Sequence, residues 1–164
     1  MPDTLLRTDK DITEIYNRHV DTVYRVCFLY MKNKHDTEDA VQNTFIKLMD
    51  YNGSFQSSEH EKAWLIVTAT NICKNFHRHW WRKNINLENA QNALYENDHA
   101  TDETLKLVLA LPPKYKTVIY MYYYEGYSTV EIARMLKKKE STIRSHLHKG
   151  RKLLKLSLGE ESYA

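Results

Sequence analysis

Gly126-Tyr-Ser-Thr-Val-Glu-Ile-Ala-Arg-Met-Leu136, continued from Lys137 as Lys-Lys-Lys-Glu-Ser-Thr-Ile-Arg-Ser-His-Leu-His-Lys-Gly-Arg-Lys-Leu-Leu154, is the stretch on which the reading of this 164-residue chain turns. Ser128 and Glu131 make a Ser-x-x-Glu capping box, which predicts a helix starting just after Ser128. Ile132, Ala133 and Leu136 give that helix one apolar face, and Ala133 is small enough to let a second helix cross closely. The following helix turns Ile143, Leu147 and Leu154 toward a core, with Leu153 beside them, and presents Ser141, Thr142, Arg144, Ser145, His148, Lys149 and Lys152 outward. From 137 to 155 the cations are Lys137, Lys138, Lys139, Arg144, Lys149, Arg151, Lys152 and Lys155, opposed only by Glu140. A short helix supporting a second helix that carries hydroxyls and cations is the arrangement that fills a DNA major groove. An ordinary solvated basic helix would not need the cap, the small residue and the charge together.

Working outward, the chain has only 4 Gly and 3 Pro, and its apolar residues recur at helical spacing, so the expected fold class is all-α. One stripe runs through Ile12, Ile15, Tyr16, Val20, Val23, Tyr24 and Cys27 and ends near Met31. A second carries Val41, Phe45 and Leu48, with Asp36 as its expected N-cap. Asn52-Gly53-Ser54 interrupts the pattern. Ser58 and Glu61 then make another capping box ahead of Leu65, Ala69, Ile72, Cys73 and Phe76. Residues 84–103 carry Glu88, Glu96, Asp98, Asp102 and Glu103 and no Lys or Arg, which reads as an acidic linker with at most a weak helical turn at 90–95. Periodicity resumes from Leu105 to Leu111, Pro112-Pro113 closes one helix and opens the next, and Val118, Ile119 and Tyr122 continue a core before Gly126, placed for a positive φ. Two small helical domains follow, 1–83 and 104–164, joined by 84–103, the second a helix-turn-helix.

The net charge of +3 says little by itself, but its distribution is informative. Residues 71–83 hold Lys74, Arg78, Arg82 and Lys83 with no acid, interleaved with Phe76, Trp80 and Trp81. Cations hold phosphates and flat rings stack on unpaired bases, a combination suited to opened rather than intact DNA. Asp36-Thr-Glu-Asp-Ala40 is acidic instead, so a partner there is a protein. Cys27 and Cys73 are too few and too far apart for a disulfide framework or a zinc ribbon, and a reducing, cytoplasmic setting fits them. No apolar run approaches the roughly 18 residues of a membrane helix, so no membrane insertion is expected. Cys73, His77 and His79 lack a further ligand cluster, and His60-Glu61 lacks the second His of a zinc-protease helix. No metal, cofactor, small-molecule substrate or enzymatic activity is expected.

Four segments together resemble the extracytoplasmic-function (ECF) sigma factors, bacterial promoter-recognition subunits of RNA polymerase. Asp36-Thr-Glu-Asp-Ala-Val-Gln-Asn-Thr-Phe-Ile-Lys-Leu-Met49 is similar to the family's Asp-x-Glu-Asp-x-x-Gln-x-x-Phe run. The segment from Lys62 to Arg78, with Trp64-Leu65 and Asn71, is similar to its Trp-Leu-x-x-x-Ala-x-Asn run. Tyr124-Glu-Gly-Tyr-Ser-x-x-Glu-Ile-Ala133 and Thr142-Ile-Arg-Ser-His-Leu-His-Lys-Gly-Arg-Lys-Leu153 complete the likeness. The resemblance implies that Asp36, Asp39, Gln42 and Phe45 dock on the clamp helices of the largest polymerase subunit, and that the second domain meets the flap of the next. It implies that Asn52, Ser54, Phe55, Asn71, Lys74, Asn75, Arg78 and Arg82 recognise and open the −10 element, trapping a flipped base. It implies that Ser141, Thr142, Arg144, Ser145, His148, Lys149, Arg151 and Lys152 bind the −35 element. An anti-sigma factor is a further partner the resemblance raises. The chain departs from the family at the turn, where Lys137-Lys138 stands for Gly and an apolar residue, at Asn75 for Asp, and at Lys149-Gly150 for Arg-Ala. Lys137 must then hold a left-handed φ or the turn must differ. The alternative reading is a stand-alone helix-turn-helix regulator, which would carry a ligand pocket or dimer helix in its first half.

Overall fold

The computed structural model describes residues 9–83 and 103–158, all helix and connecting turns with no strand among them. The chain divides into two units, Met1–Asn97 and Asp98–Ala164. The acidic stretch expected as a linker lies outside the described residues, except for Glu103.

The first unit packs three helices against one another: α1 (Asp9–Met31), α2 (Lys34–Asp50) and α3 (Ser58–Lys83). Their shared core is Val23, Val26, Cys27, Leu29 and Tyr30 from α1, Ala40, Val41, Phe45 and Leu48 from α2, and Leu65, Ile66, Ala69 and Cys73 from α3. Tyr16, expected in the first stripe, is 43% exposed and instead lays its ring against Phe45 with centroids 4.8 Å apart.

Both helix starts expected in this unit are shifted. The cap of α2 is Asn33, not Asp36: Asn33 Oδ1 accepts from the Asp36 amide at 2.8 Å, and its Nδ2 donates to Asp36 Oδ2 at 2.8 Å. An asparagine can serve the amide and the carboxylate of the same residue, whereas Asp36 as cap would only accept. At α3 the hydroxyl that caps is Ser57, accepting from the His60 amide at 3.1 Å. Glu61 does not close a box on Ser58. Its carboxylate is drawn inward, where Arg18 Nη2 donates to both oxygens at 3.1 and 3.0 Å and His19 Nε2 lies 3.2 Å from Oε1. Glu61 and His19 are both buried, so this polar cluster ties α1 to α3 inside the bundle.

The second unit runs α4 (Glu103–Leu109), α5 (Pro113–Ile119), α6 (Thr129–Leu136) and α7 (Glu140–Leu158). Pro113 opens α5, where a missing N–H costs nothing. Past Ile119 the helix widens into a π turn over Tyr120–Tyr124, closed by the Glu125 amide on the Tyr120 carbonyl at 3.2 Å. The wider turn leaves Met121 fully buried and brings Tyr122, expected in the core, to 37% exposure. Gly126 has φ +76, as its placement predicts. Ser128 and Glu131 form the capping box of α6, with both hydrogen bonds at 3.1 Å. Val108, Leu109, Val118, Ile119, Ile132, Ile143 and Leu147 fill the core of this unit.

Candidate nucleic-acid interface

The turn between α6 and α7 is closed by Lys137 in the left-handed region, φ 55 and ψ 48. The Lys138 amide returns to the Ala133 carbonyl at 2.9 Å, so the end of α6 is satisfied and α7 leaves in a fixed direction. Along α7, Ile143, Leu147 and Gly150 are buried. Ser141, Arg144, Ser145, His148, Lys149, Arg151 and Lys152 are exposed, and Thr142 is half-buried. Glu140, the acid of this region, is engaged locally: Thr129 Oγ1 donates to its Oε1 at 3.1 Å and Arg144 Nε lies 3.9 Å from it. The exposed side of α7 is therefore cationic and rich in donors, able to meet base edges and phosphates.

In the first unit, a pocket of about 420 Å³ opens between the end of α2 and α3, lined by Lys47, Asp50, Tyr51, Trp64, Thr68, Asn71, Ile72 and Asn75. Its rings form one cluster, with Tyr51 4.7 Å from Trp64 and 5.5 Å from Phe55, and Phe55 edge-on to His60 at 5.3 Å. His60 Nδ1 accepts from the Gln56 amide at 3.1 Å and steadies the loop. Tyr51 lies directly across Gly53, so a Cβ added at that position would press on the Tyr51 ring and shift it from its place in the cluster. Flat rings beside the amides of Asn71 and Asn75 make a cavity able to stack a planar heterocycle and hydrogen-bond its edge.

Of the residues expected at the −10 element, Asn71 and Asn75 line this pocket, Phe55 belongs to its ring cluster, and Asn52 and Ser54 are exposed on the adjoining loop. Lys74 is half-buried, and the side chains of Arg78 and Arg82 lie outside those described. Lys47, Asp50, Tyr51, Trp64, Thr68 and Ile72 were not among the expected residues. Part of this was readable, since 64, 68, 71 and 75 fall on one stripe of a helix. Phe76 is 40% exposed and so belongs to the surface.

On α2, Asp39 and Gln42 are exposed, while Asp36 is held by Asn33. Phe45 is 6% exposed, so it shapes this helix from beneath and does not offer its ring to a partner. Ile46 and Met49, each 52% exposed, continue the same outward stripe. His35, Asp36 and Asp39 bring potential ligand atoms within 4.8 Å of one another, at a helix N-terminus whose dipole repels a cation. No described helix is long and apolar enough to cross a membrane.

Residues 15–83 match the family Sigma-70 region 2, and residues 101–154 match Sigma-70, region 4. The chain is 29% identical over 160 residues to the ECF RNA polymerase sigma factor SigE of Mycolicibacterium smegmatis, covering 91% of this chain and 62% of that protein. It is 26% identical over 166 residues to the ECF RNA polymerase sigma factor SigW of Bacillus subtilis, covering 90% and 87%. Among solved structures, the fold is similar to the sigma factor RpoE in its complex with the anti-sigma factor NepR from Bartonella quintana, with a TM-score of 0.73, 19% identity and coverage of 93% and 99%. It is also similar to CnrH in complex with the cytosolic domain of CnrY, with a TM-score of 0.66, 16% identity and coverage of 95% and 92%.

Proposed function

Because this chain belongs to the sigma-70 family and is of the ECF type, we propose that it directs core RNA polymerase to promoters through contacts at two DNA elements and performs no chemistry of its own. The observation that carries the reading is the pairing, in one chain, of a ring-and-amide pocket with a separate cationic recognition helix. A flipped base entering the pocket of the first unit stacks on its rings, gaining about 1–3 kcal/mol per base, which offsets the few kcal/mol needed to unstack it. Asn71 and Asn75 read its edge, and the cations of 71–83 hold the neighbouring phosphates. In the second unit, Arg144, Ser145 and His148 face bases of the −35 element, while Lys149, Arg151 and Lys152 hold its backbone. The stripe Asp39, Gln42, Ile46 and Met49 on α2 docks on the clamp helices of the largest polymerase subunit, with Asp36 and Phe45 fixing its shape from within. The second unit meets the flap of the second-largest subunit, domains 1–83 and 104–164 acting through the tether 84–103. Action on the chromosome places the protein in the bacterial cytoplasm, and an anti-sigma factor covering these surfaces is its regulator.

The stand-alone regulator reading loses its ground, since the first half matches Sigma-70 region 2 instead of a receiver or ligand-binding domain. The deciding experiment mixes the protein with core polymerase and templates carrying candidate promoters. Specific transcripts that depend on the added chain support the proposal; tight duplex binding by the chain alone, with no association with core, overturns it.

A further inference from the structure

The turn joining α6 to α7 holds a lysine where a glycine would fit without cost. Lys137 sits at φ 55, a backbone that a Cβ disfavours, and it is followed by Lys138 and Lys139. All three are exposed, as is Arg134 one turn earlier on α6. None of the three lysine side chains has a hydrogen-bond or ion-pair partner among the described residues, and Glu140, the acid that follows, is already engaged by Thr129 and Arg144. Packing does not call for a cation here, because all three side chains stand in solvent. A strained backbone kept together with uncompensated charge points to a ligand.

We propose that Lys137, Lys138 and Lys139, with Arg134, form a second phosphate clamp that grips the DNA backbone beside the recognition helix, independently of base sequence. The assignment rests on the promoter-binding reading above and extends it to residues outside the α7 face. The choice of ligand follows from position. The turn immediately precedes the first residues of α7, and in a helix-turn-helix those residues enter the groove, so the turn stands at its rim, where phosphates line up. A string of phosphates also matches a row of unpaired ammonium groups better than the scattered carboxylates of a protein surface do.

The test uses holoenzyme reconstituted with core polymerase, a promoter duplex, and two variants, Lys137→Gly and the double change Lys138→Ala with Lys139→Ala. Equilibrium binding is measured over a salt series, together with the thermal midpoint of each free protein and its association with core alone. Every phosphate that a variant no longer neutralises should lower the slope of log K against log salt by about 0.9, so that the variant's deficit shrinks about 3.5-fold per phosphate between about 50 and about 200 mM salt. Matched and mismatched −35 sequences should lose affinity equally. Lys137→Gly should bind DNA more weakly and yet melt at a higher temperature, because it removes a cation and relieves the backbone at once. A purely structural lysine would raise stability and leave the slope alone, and unchanged slopes in both variants overturn the clamp. Weaker association with core in the absence of DNA also overturns it, assigning the turn to a protein contact. Wild-type holoenzyme serves as the control: if it transcribes specifically while the slopes stay equal, only the clamp fails, and if it does not bind promoters, the functional reading falls with it.

Discussion

Gly150 on α7 rests against Ile119 at the end of α5, so closely that a Cβ on the glycine would lie 2.8 Å from Ile119 Cγ1 and 3.1 Å from its Cδ1. Ile119 is fully buried and has nowhere to swing. A glycine in the middle of a helix costs about 1 kcal/mol relative to alanine, and here that cost permits two helices to touch. Gly150→Ala should therefore destabilise the second unit by about 1 kcal/mol net, the helical gain being outweighed by an overpacking cost of roughly 1–3 kcal/mol. Combining it with Ile119→Ala should cost less than the two single changes added together, measured as a double-mutant cycle in denaturant unfolding.

The buried cluster around Glu61 makes an asymmetric prediction for the first unit. Glu61→Ala removes the acceptor of two groups at once and leaves buried His19 without it, at a cost of about 2–3 kcal/mol. Arg18→Ala should cost less, because Glu61 keeps His19 as a partner and the Arg18 side chain is 45% exposed. Equilibrium unfolding of the two variants checks the order.

Testing the proposed docking role of α2 by removing its aromatic residue would mislead. Phe45→Ala should lose about 3–5 kcal/mol of stability because the ring is buried beneath Tyr16. Ile46→Asp and Met49→Asp, at half-exposed positions, should leave the unfolding midpoint nearly unchanged and weaken association with core polymerase at least about tenfold, or about 1.4 kcal/mol, in a titration with labelled protein.

At the pocket, Asn75→Ala should lower the affinity of holoenzyme for a pre-opened −10 segment by about tenfold, the worth of about one hydrogen bond to a base, with duplex contacts to the −35 element unaffected. Binding to a forked template against a fully paired one separates the two.

Lys32 gives a pH signature. It follows α1 at φ 63, and burial holds its ammonium below the ordinary lysine value of 10.5. The unfolded chain then binds more protons than the folded one between the lowered value and 10.5, so stability rises with pH through that window, and the penalty is present in full below it. Lys32→Gly should raise the thermal midpoint at neutral pH, with about 1 kcal/mol coming from the relaxed backbone, and its advantage should narrow as pH approaches 10.5. A constant advantage would assign the whole gain to the backbone.

The helices and their order could be read from spacing because each core stripe is local, and Ser128 with Glu131 marked the start of α6 correctly since nothing distant competes for that carboxylate. Glu61 shows the opposite case. Its partners lie 42 and 43 residues away, and a buried ion pair overrides a cap that spacing alone would assign. Asn33 displaced Asp36 because one amide side chain serves two groups of the same neighbour, which a capping pattern does not register. The pocket was half legible: Asn71 and Asn75 share a stripe with Trp64 and Thr68, but Lys47, Asp50 and Tyr51 arrive from another helix, brought there by packing. Tyr122 was misplaced because a widened turn shifts every later residue around the axis.

That widened turn bears on how the chain tolerates changes of length. A ring closed from Tyr120 to Glu125 holds one residue more than an ordinary helical turn, so the helix carries a spare unit between two ends that are already anchored. Among the exposed tyrosines there, a one-residue deletion would let the coil regularise while the glycine bend at 126 and the capped helix beyond it kept their places. A change of one residue in the length of the chain ahead of α6 has a natural site here.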